Sequence, residues 1–417
     1  MRKQQYSNIG GIFFTFYFDT ALCLLRKCGA RPFSAMIMHS LKTNQAESAA
    51  ILDTGKALPS VVTIRKPVVI HILWDGDIGG IQRIVKNVFL DYVDSPMRHV
   101  AVVANRFGSI IGPEPERFCL NLKNGFDVFA LLRFFSLLKS FPGAVCVYHT
   151  DAPIFRFFAP AHVSILYMEH GCTAVRKKFL RFNQFLGRRF FGRVERFICI
   201  SRHIQSVFAA DYPRFSSKTL VLNNPVTMEF SVPRSAPHQP ATIGFIGRFS
   251  PEKGPVEFIQ CARILSRKIP KLRCVMVGDG PMLGSCIDYS KRLGIDISFK
   301  GKSKNVACEL DEMDVVVVPS FKDAFNMVLV EAMARGVPTV AYATGAIPEI
   351  ITNNQTGLLV PCGALRSLVR AVLRVLFDIP LYAKLSLNGF NHAGEHFNLR
   401  AYRKKWDDLA LALPPRL

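Results

Sequence analysis

The chain has 417 residues, 49% of them apolar, and a length beyond what one hydrophobic core usually serves, so two domains are expected and a long disordered tract is excluded. With 53 Lys and Arg against 31 Asp and Glu, the formal charge is +22, which points to an anionic partner: nucleic acid, a phosphorylated small molecule or an acidic membrane surface. The 11 cysteines show no C-x-x-C pair or other metal spacing, and their odd count reads as reduced thiols in a cytoplasmic chain.

Residues 1–60 read as an N-terminal extension. Arg2 and Lys3 precede an apolar segment at 9–25, which Asp19 interrupts and Arg26 and Lys27 follow. An acid inside a bilayer costs about 2.5–3.5 kcal/mol, and no small-residue cleavage site follows, so membrane-surface association is expected over a span or a signal peptide. From residue 61 the pattern changes. Strands are expected over 68–73, 100–104, 145–148, 165–168, 197–200 and 220–222, with helices such as 82–92 and 128–138 between them. Short apolar strands alternating with helices indicate a parallel sheet covered on both faces. The prolines at 233, 237 and 240 mark a linker over 233–240 after a first domain at 61–232.

The alternation restarts at 241. Strands are expected over 243–246, 274–277, 297–299, 315–318, 339–341 and 358–360, with helices at 256–266, 282–293, 327–334 and 365–376. A second domain at 241–390 and a C-terminal helix within 391–417 complete the chain. The fold class is therefore α/β, with two Rossmann-like domains facing across a cleft, where ligands sit at the carboxyl ends of the strands.

Several groups fall at those strand ends. Gly244 to Gly254 reads G-F-I-G-R-F-S-P-E-K-G, so Arg248 and Lys253 leave a strand and flank a helix start. Two cations beside a helix N-terminus suit a diphosphate, and a solvated basic loop fits as well. Val277 to Gly284 reads V-G-D-G-P-M-L-G, one residue too long for G-x-G-x-x-G; a nucleotide-approaching turn and a plain structural turn are both open. After the first strand, Trp74 to Arg83 reads W-D-G-D-I-G-G-I-Q-R. Gly79 and Gly80 there suit close backbone approach to a ligand, while Asp75 and Asp77 lack a third metal ligand, so no metal is expected. His170 and His149 follow strands at the cleft edge and read either as functional or as hydrogen-bonded structural histidines. Asp323 and Glu331 lie eight residues apart, about 12 Å along a helix. That span suits one carboxylate on a sugar and one on a ribose, with the N–H groups near Phe325 and Asn326 facing phosphates between them. The alternative is an N-cap at Asp323 and a surface charge at Glu331. Finally, residues 175–196 interleave Arg and Lys with Phe and Leu, as do 131–141 and 155–158 in part. That pattern suits an anionic lipid surface or a core-packed helix, and no nucleic-acid motif accompanies it.

P-S-x4-F at Pro319, E-A-M-A-x-G-x-P at Glu331, G-x-x-x-E at Gly345 and N-x-x-G-x-L-V at Asn354 together resemble the retaining glycosyltransferases of family 4, the group 1 transferases of GT-B fold. G-R-F-S-P-E-K-G, V-G-D-G-P, Gly79–Gly80 and Asn223-Asn224-Pro225-Val226 stand in the same order. The resemblance covers roughly 65–410. It implies an acceptor-binding first domain and a second domain that binds a nucleotide-diphosphate sugar, UDP- or GDP-linked, with no cofactor and no metal. Arg248 and Lys253 would hold the diphosphate, Glu331 the ribose, Asp323 the donor sugar, with His170 near the reacting sugar and Gly80 near phosphate or acceptor. Glu349 falls close to the site without an assigned role. Asp323 stands where the family usually has Glu, and Ala324 and Asn326 where it commonly has glycines. The implied activity is retaining transfer to a glycan or lipid-linked acceptor in cell-surface polysaccharide or lipopolysaccharide assembly, on the inner face of the cell membrane. A catalytically weak nucleotide-sugar-binding protein of the same fold, or a sugar-nucleotide epimerase, are the alternatives.

Overall fold

The computed structural model describes residues 66–413 except 77–78, 124–126, 150–161 and 172–190, all within one compact unit, Lys66–Leu417. The extension at 1–60, residues 155–158 and residues 175–190 of the basic aromatic stretch lie outside the described residues.

The first sheet is built from β1 (Val68–Leu73), β2 (Arg98–Val103), β3 (Arg117–Cys119), β4 (Val145–Tyr148), β5 (Ser164–Glu169), β6 (Val194–Cys199) and β7 (Thr219–Val221). Helix α1 (Gly80–Ile84) runs on into a wider π turn, Val85–Leu90, and α2 (Val128–Lys139) and α3 (Arg202–Asp211) follow. The second sheet holds β8 (Thr242–Ile246), β9 (Arg273–Val277), β10 (Ser298–Gly301), β11 (Val315–Val318), β12 (Thr339–Tyr342) and β13 (Leu358–Val360). Its helices are α4 (Pro255–Ser266), α5 (Leu283–Arg292), α6 (Val306–Asp311), α7 (Met327–Ala334), α8 (Ile347–Ile350), α9 (Leu365–Phe377), α10 (Ile379–His396) and α11 (Leu399–Leu411).

Every pairing is parallel, in the orders β3-β2-β1-β4-β5-β6-β7 and β10-β9-β8-β11-β12-β13. Each order reverses at its centre, between β1 and β4 and between β8 and β11, and that reversal opens a crevice at the strand carboxyl ends. The run Val315–Val318 shows why sequence sufficed here: all four valines are buried, as a strand covered on both faces requires. Asp314 starts that strand fully buried and accepts hydrogen bonds from the backbone N–H groups of His238 (2.8 Å) and Thr242 (2.7 Å).

Three local expectations change. The proline-rich segment is not slack: Arg234 donates to the carbonyls of Met313 (2.7 Å) and Asp311 (2.5 Å), tying it to the approach to β11. The 131–141 stretch is largely core helix, with Leu131, Phe134, Leu137 and Leu138 buried, while Phe129 and Leu132 of α2 point outward. Residues 194–196, the end of the basic stretch, belong to β6 rather than to a helix. At the far end α11 lies on the first sheet's helices. Arg403 donates to the carbonyls of Val88 (2.9 Å) and Asn87 (2.8 Å), and the Trp406 ring lies 4.7 Å from that of Phe89.

Candidate functional site

β11 delivers Pro319 to Asn326 to the centre of the crevice. Asp323 is buried, and its Oδ2 accepts hydrogen bonds from Lys253 Nζ (2.7 Å) and from Asn326 Nδ2 (2.7 Å). Asn326, not Asp323, caps α7: its Oδ1 accepts the Leu329 N–H at 3.2 Å. Asp323 therefore lies in a loop ahead of the helix, and a helical rise does not measure its distance from Glu331. Because Asn326 takes the capping duty, the Asp323 carboxylate stays aimed at Lys253. Phe325 is buried, with its ring 5.8 Å from Phe397 in an edge-on contact. Among the described residues, no hydrogen bond takes up the N–H groups of Phe325, Met327 and Val328 at the start of α7.

Lys253 ends a short 3-10 turn, Pro251–Lys253, whose Glu252 carbonyl accepts from the N–H groups of Phe321 (2.8 Å) and Lys322 (3.3 Å). The two loops thus move as one. Arg248 is exposed and makes no ion pair among the described residues, whereas Lys253 is committed to Asp323. The V-G-D-G turn serves this loop: Gly247 N–H donates to Val277 (3.0 Å), Phe249 N–H to Asp279 (2.9 Å) and Met282 N–H to Phe249 (3.0 Å). Of the two readings of those glycines, the structure supports loop-on-loop packing.

Glu331 lies on the crevice side of α7. Part of the residue meets solvent, yet burial pushes its carboxyl up to about 7 even though the Arg83 guanidinium favours the charged form. Arg83 comes from α1 on the other sheet and also donates to the Ser303 carbonyl at 3.3 Å. It closes the crevice electrostatically, and no motif in the sequence singled it out. Gly80, which begins α1, is exposed with open space around its Cα, so a ligand can meet its backbone. Asp75 accepts from Gln82 Nε2 at 3.0 Å, and Asp77 lies outside the described residues.

His170 follows β5 and directly precedes the glycine that touches the Asp323 loop. Its neighbour Gly171 has φ +86°, and a Cβ there would lie 2.4 Å from the Ala324 Cβ, so the Ala324 methyl group packs on the glycine backbone where the two sheets' loops meet. The same seam carries two further contacts that sequence reasoning left without a role. Ser201 Oγ donates to the Ala324 carbonyl (2.8 Å), and Glu349 accepts the Arg202 (2.7 Å) and His203 (2.6 Å) N–H groups at the start of α3. Burial lowers His170 to about 4, so the ring is neutral, and His149 lies behind it with its Nδ1 3.2 Å from His170 Nε2. Both histidines are therefore in the site's wall, His170 at its face and His149 buried beneath. A cavity of about 740 Å³ between Tyr92, Asn398 and Asp407 contains none of these residues.

Two all-parallel sheets whose strand carboxyl ends open on one crevice make a GT-B type fold. Residues 228–392 match the model of the family "Glycosyl transferases group 1". Among curated relatives, N-acetyl-alpha-D-glucosaminyl L-malate synthase of Bacillus anthracis is 32% identical over 155 residues, 36% of this chain and 40% of that enzyme. The lipopolysaccharide core biosynthesis mannosyltransferase LpsB of Rhizobium meliloti is 29% identical over 164 residues, 37% of this chain and 47% of that enzyme. The chain thus matches less than half the length of these relatives. The solved structure of Anabaena Alr3699/HepE with UDP-glucose superposes with a TM-score of 0.68 over 83% of this chain and 100% of that one, at 19% identity, a likeness of fold.

Proposed function

We propose that this protein is a retaining glycosyltransferase that takes a sugar from a nucleotide-diphosphate sugar, with the residues of the second sheet, 241–390, as donor domain and those of 61–232 as acceptor domain. One observation carries the reading: the Lys253–Asp323–Asn326 cluster stands at the strand ends of one sheet, and its loop touches Gly171, the residue after His170, on the other. A diphosphate at the start of α7 would meet unused N–H groups and the free Arg248 guanidinium, both of which favour negative charge. Lys253 would shift part of its charge from Asp323 to the leaving phosphate as the glycosidic bond stretches. Glu331 would accept the ribose hydroxyls, which replace the water that burial has removed. Asp323, held on two sides, would contact donor-sugar hydroxyls, and Gly80 would meet phosphate or acceptor. Among the described residues no carboxylate is placed as a covalent nucleophile beside His170, so same-face attack by the acceptor hydroxyl, with the departing phosphate taking its proton, fits the residues present. The UDP and UDP-glucose complexes of the HepE structures support a UDP-sugar donor.

For the acceptor, a lipid-linked or anionic glycan at the inner membrane face is the fitting class. The formal charge of +22, the outward Phe129 and Leu132 of α2 with Arg133 beside them, and the LpsB likeness support it. No helix among the described residues is long and apolar enough to cross a membrane. The test is a thermal-shift screen of the full chain against UDP-, GDP- and ADP-sugars, followed by acceptor-dependent nucleotide release. Release without acceptor would favour an epimerase, and binding with no transfer to any acceptor extract would favour a weak binding protein. Turnover surviving both Lys253→Ala and Glu331→Ala would overturn the assignment.

A further inference from the structure

His170 is the last of four imidazoles linked in series. His99 Nδ1 lies 3.0 Å from His71 Nε2, His71 Nδ1 lies 3.0 Å from His149 Nε2, and His149 Nδ1 lies 3.2 Å from His170 Nε2. One ring comes from each of four neighbouring strands or strand ends, in the sheet order β2, β1, β4, β5. His71, His99 and His149 are buried, and His71 stacks on Phe89 at 4.4 Å. The chain ends inside the protein at Ser95, whose Oγ lies 2.9 Å from His99 Nε2 and accepts the Met97 N–H at 3.2 Å.

A neutral imidazole carries one N–H, on Nδ1 or on Nε2. Each ring-to-ring contact needs one hydrogen between two nitrogens, so the four rings can be ordered in only two ways: all with Nδ1–H, donating toward the crevice, or all with Nε2–H, donating toward Ser95. The Ser95 end distinguishes them. If His99 donated, Ser95 Oγ would accept twice, and its own hydroxyl hydrogen would have no acceptor among the described residues in a side chain buried to 2% exposure. If Ser95 donates, every contact within the row is made, and the one N–H left over, on His170 Nδ1, belongs to a part-exposed residue at the end of the row; leaving a donor unmade deep in the core at Ser95 is the costlier state. We infer that Ser95, acting through His99, His71 and His149, fixes His170 as the neutral Nδ1–H tautomer, so that the crevice is presented with a hydrogen-bond donor. His170 Nδ1 is the one ring nitrogen of the eight without a partner among the described residues. Ser95, His99, His71 and His149 are positioning residues. The inference rests on the reading that His170 touches the donor sugar, where a neutral N–H would bind a sugar oxygen without adding charge to the site.

The test uses the full chain labelled with ¹⁵N-histidine. Long-range ¹H–¹⁵N correlation spectra distinguish pyrrole-type from pyridine-type ring nitrogens, and they need no substrate. The expected spectrum has Nδ1 pyrrole-type and Nε2 pyridine-type in all four rings. Ser95→Ala should make His170 a mixture of tautomers, Ser95→Thr should restore the Nδ1–H form, and His71→Phe, which keeps the stack on Phe89, should break the coupling in the same way. With donor and acceptor in hand, kcat/KM should fall about tenfold in Ser95→Ala, and His170→Ala should cost less in that background than in the native chain. A native His170 protonated on Nε2, or a tautomer unmoved by both Ser95→Ala and His71→Phe, would overturn the inference. The predicted tautomers in a protein without transferase activity would instead overturn the function and leave the relay standing.

Discussion

Replacing Glu331 by Gln should make the unliganded protein more stable, and more so as pH rises. Its carboxyl titrates near 7 in the folded chain against 4.5 for the ordinary group, chiefly because burial penalises the charge. The folded state therefore holds a proton that the unfolded state has released over the interval from 4.5 to 7. The destabilisation is nearly absent below pH 4.5, grows through that window and is complete above 7. A difference of about 2.5 units at 1.36 kcal/mol each sets a ceiling of about 3 kcal/mol at pH 8, falling to about 1.4 kcal/mol at pH 5.5 and almost nothing at pH 4. For a unit of this size that ceiling corresponds to about 4–5 °C in Tm. Melting curves of native protein and Glu331→Gln from pH 4 to 8.5 measure it directly. The same variant should bind the donor nucleotide about tenfold less tightly, since an ionised acceptor makes stronger bonds to hydroxyls than an amide does. A Tm difference that stays flat between pH 5 and 8 would refute the buried-carboxylate argument, whatever the binding result.

Lys253→Ala should cost about 2–3 kcal/mol in chemical denaturation, less than the 3–5 of a fully buried pair because Asn326 still serves Asp323 and the lysine side chain is 28% exposed. Asp323→Asn in that background should recover part of the loss, and a double-mutant cycle showing no coupling would contradict the pairing. Gly171→Ala should impair both stability and donor binding, because the new Cβ meets Ala324 at 2.4 Å with φ at +86°. Adding Ala324→Gly should restore binding in calorimetry while leaving the left-handed backbone strain of about 1 kcal/mol. Glu349→Ala should speed hydrogen exchange of the Arg202 and His203 amides, whose carboxylate acceptor it removes, at a capping cost of about 1 kcal/mol. Unchanged protection at those two amides would show that the seam does not depend on Glu349.

Much of the fold was legible because strands covered on both faces leave unbroken apolar runs, as at Val315–Val318. β3 escaped notice: it has three residues, all only partly buried, at a sheet edge. α10 escaped for the opposite reason. Its buried face includes Ser386, Gly389 and Ala393, small residues that let α7 approach, so the hydrophobic period is muted although Asp378 caps it and Pro380 opens it. At the site, residues inside local motifs were readable, since Lys253 lies on one loop, and Asp323, Asn326 and Glu331 on another loop and the helix it starts, all in the second sheet's half. Arg83, Ser201 and the histidine row were not. Their partners are set by which strands neighbour one another and by how the two sheets' loops meet, and neither relation leaves a spacing in the sequence.

The Pro319–Asn326 segment explains why the departures from the family pattern cluster where they do. Three glycines from three other loops press on it: a Cβ at Gly254 would come 2.1 Å from the Pro319 carbonyl oxygen, one at Gly345 2.0 Å from that of Asp323, and one at Gly171 2.4 Å from the Ala324 Cβ. Backbone is thus packed against backbone at two of these points and against a methyl group at the third, which leaves the loop little room to shift for a new side chain. A change inside it must be absorbed by the residues themselves. Asn326 does this by capping α7 with Oδ1 while its Nδ2 holds Asp323, two bonds that a glycine could not make. Ala324 fills the space left by the absent side chain at Gly171. The aspartate, one methylene shorter than glutamate, is thereby fixed by Asn326 and Lys253 at the depth it occupies. The substitutions form a mutually supporting set, and Asp323→Glu alone should push Asn326 from its cap, read as faster hydrogen exchange at the Leu329 amide.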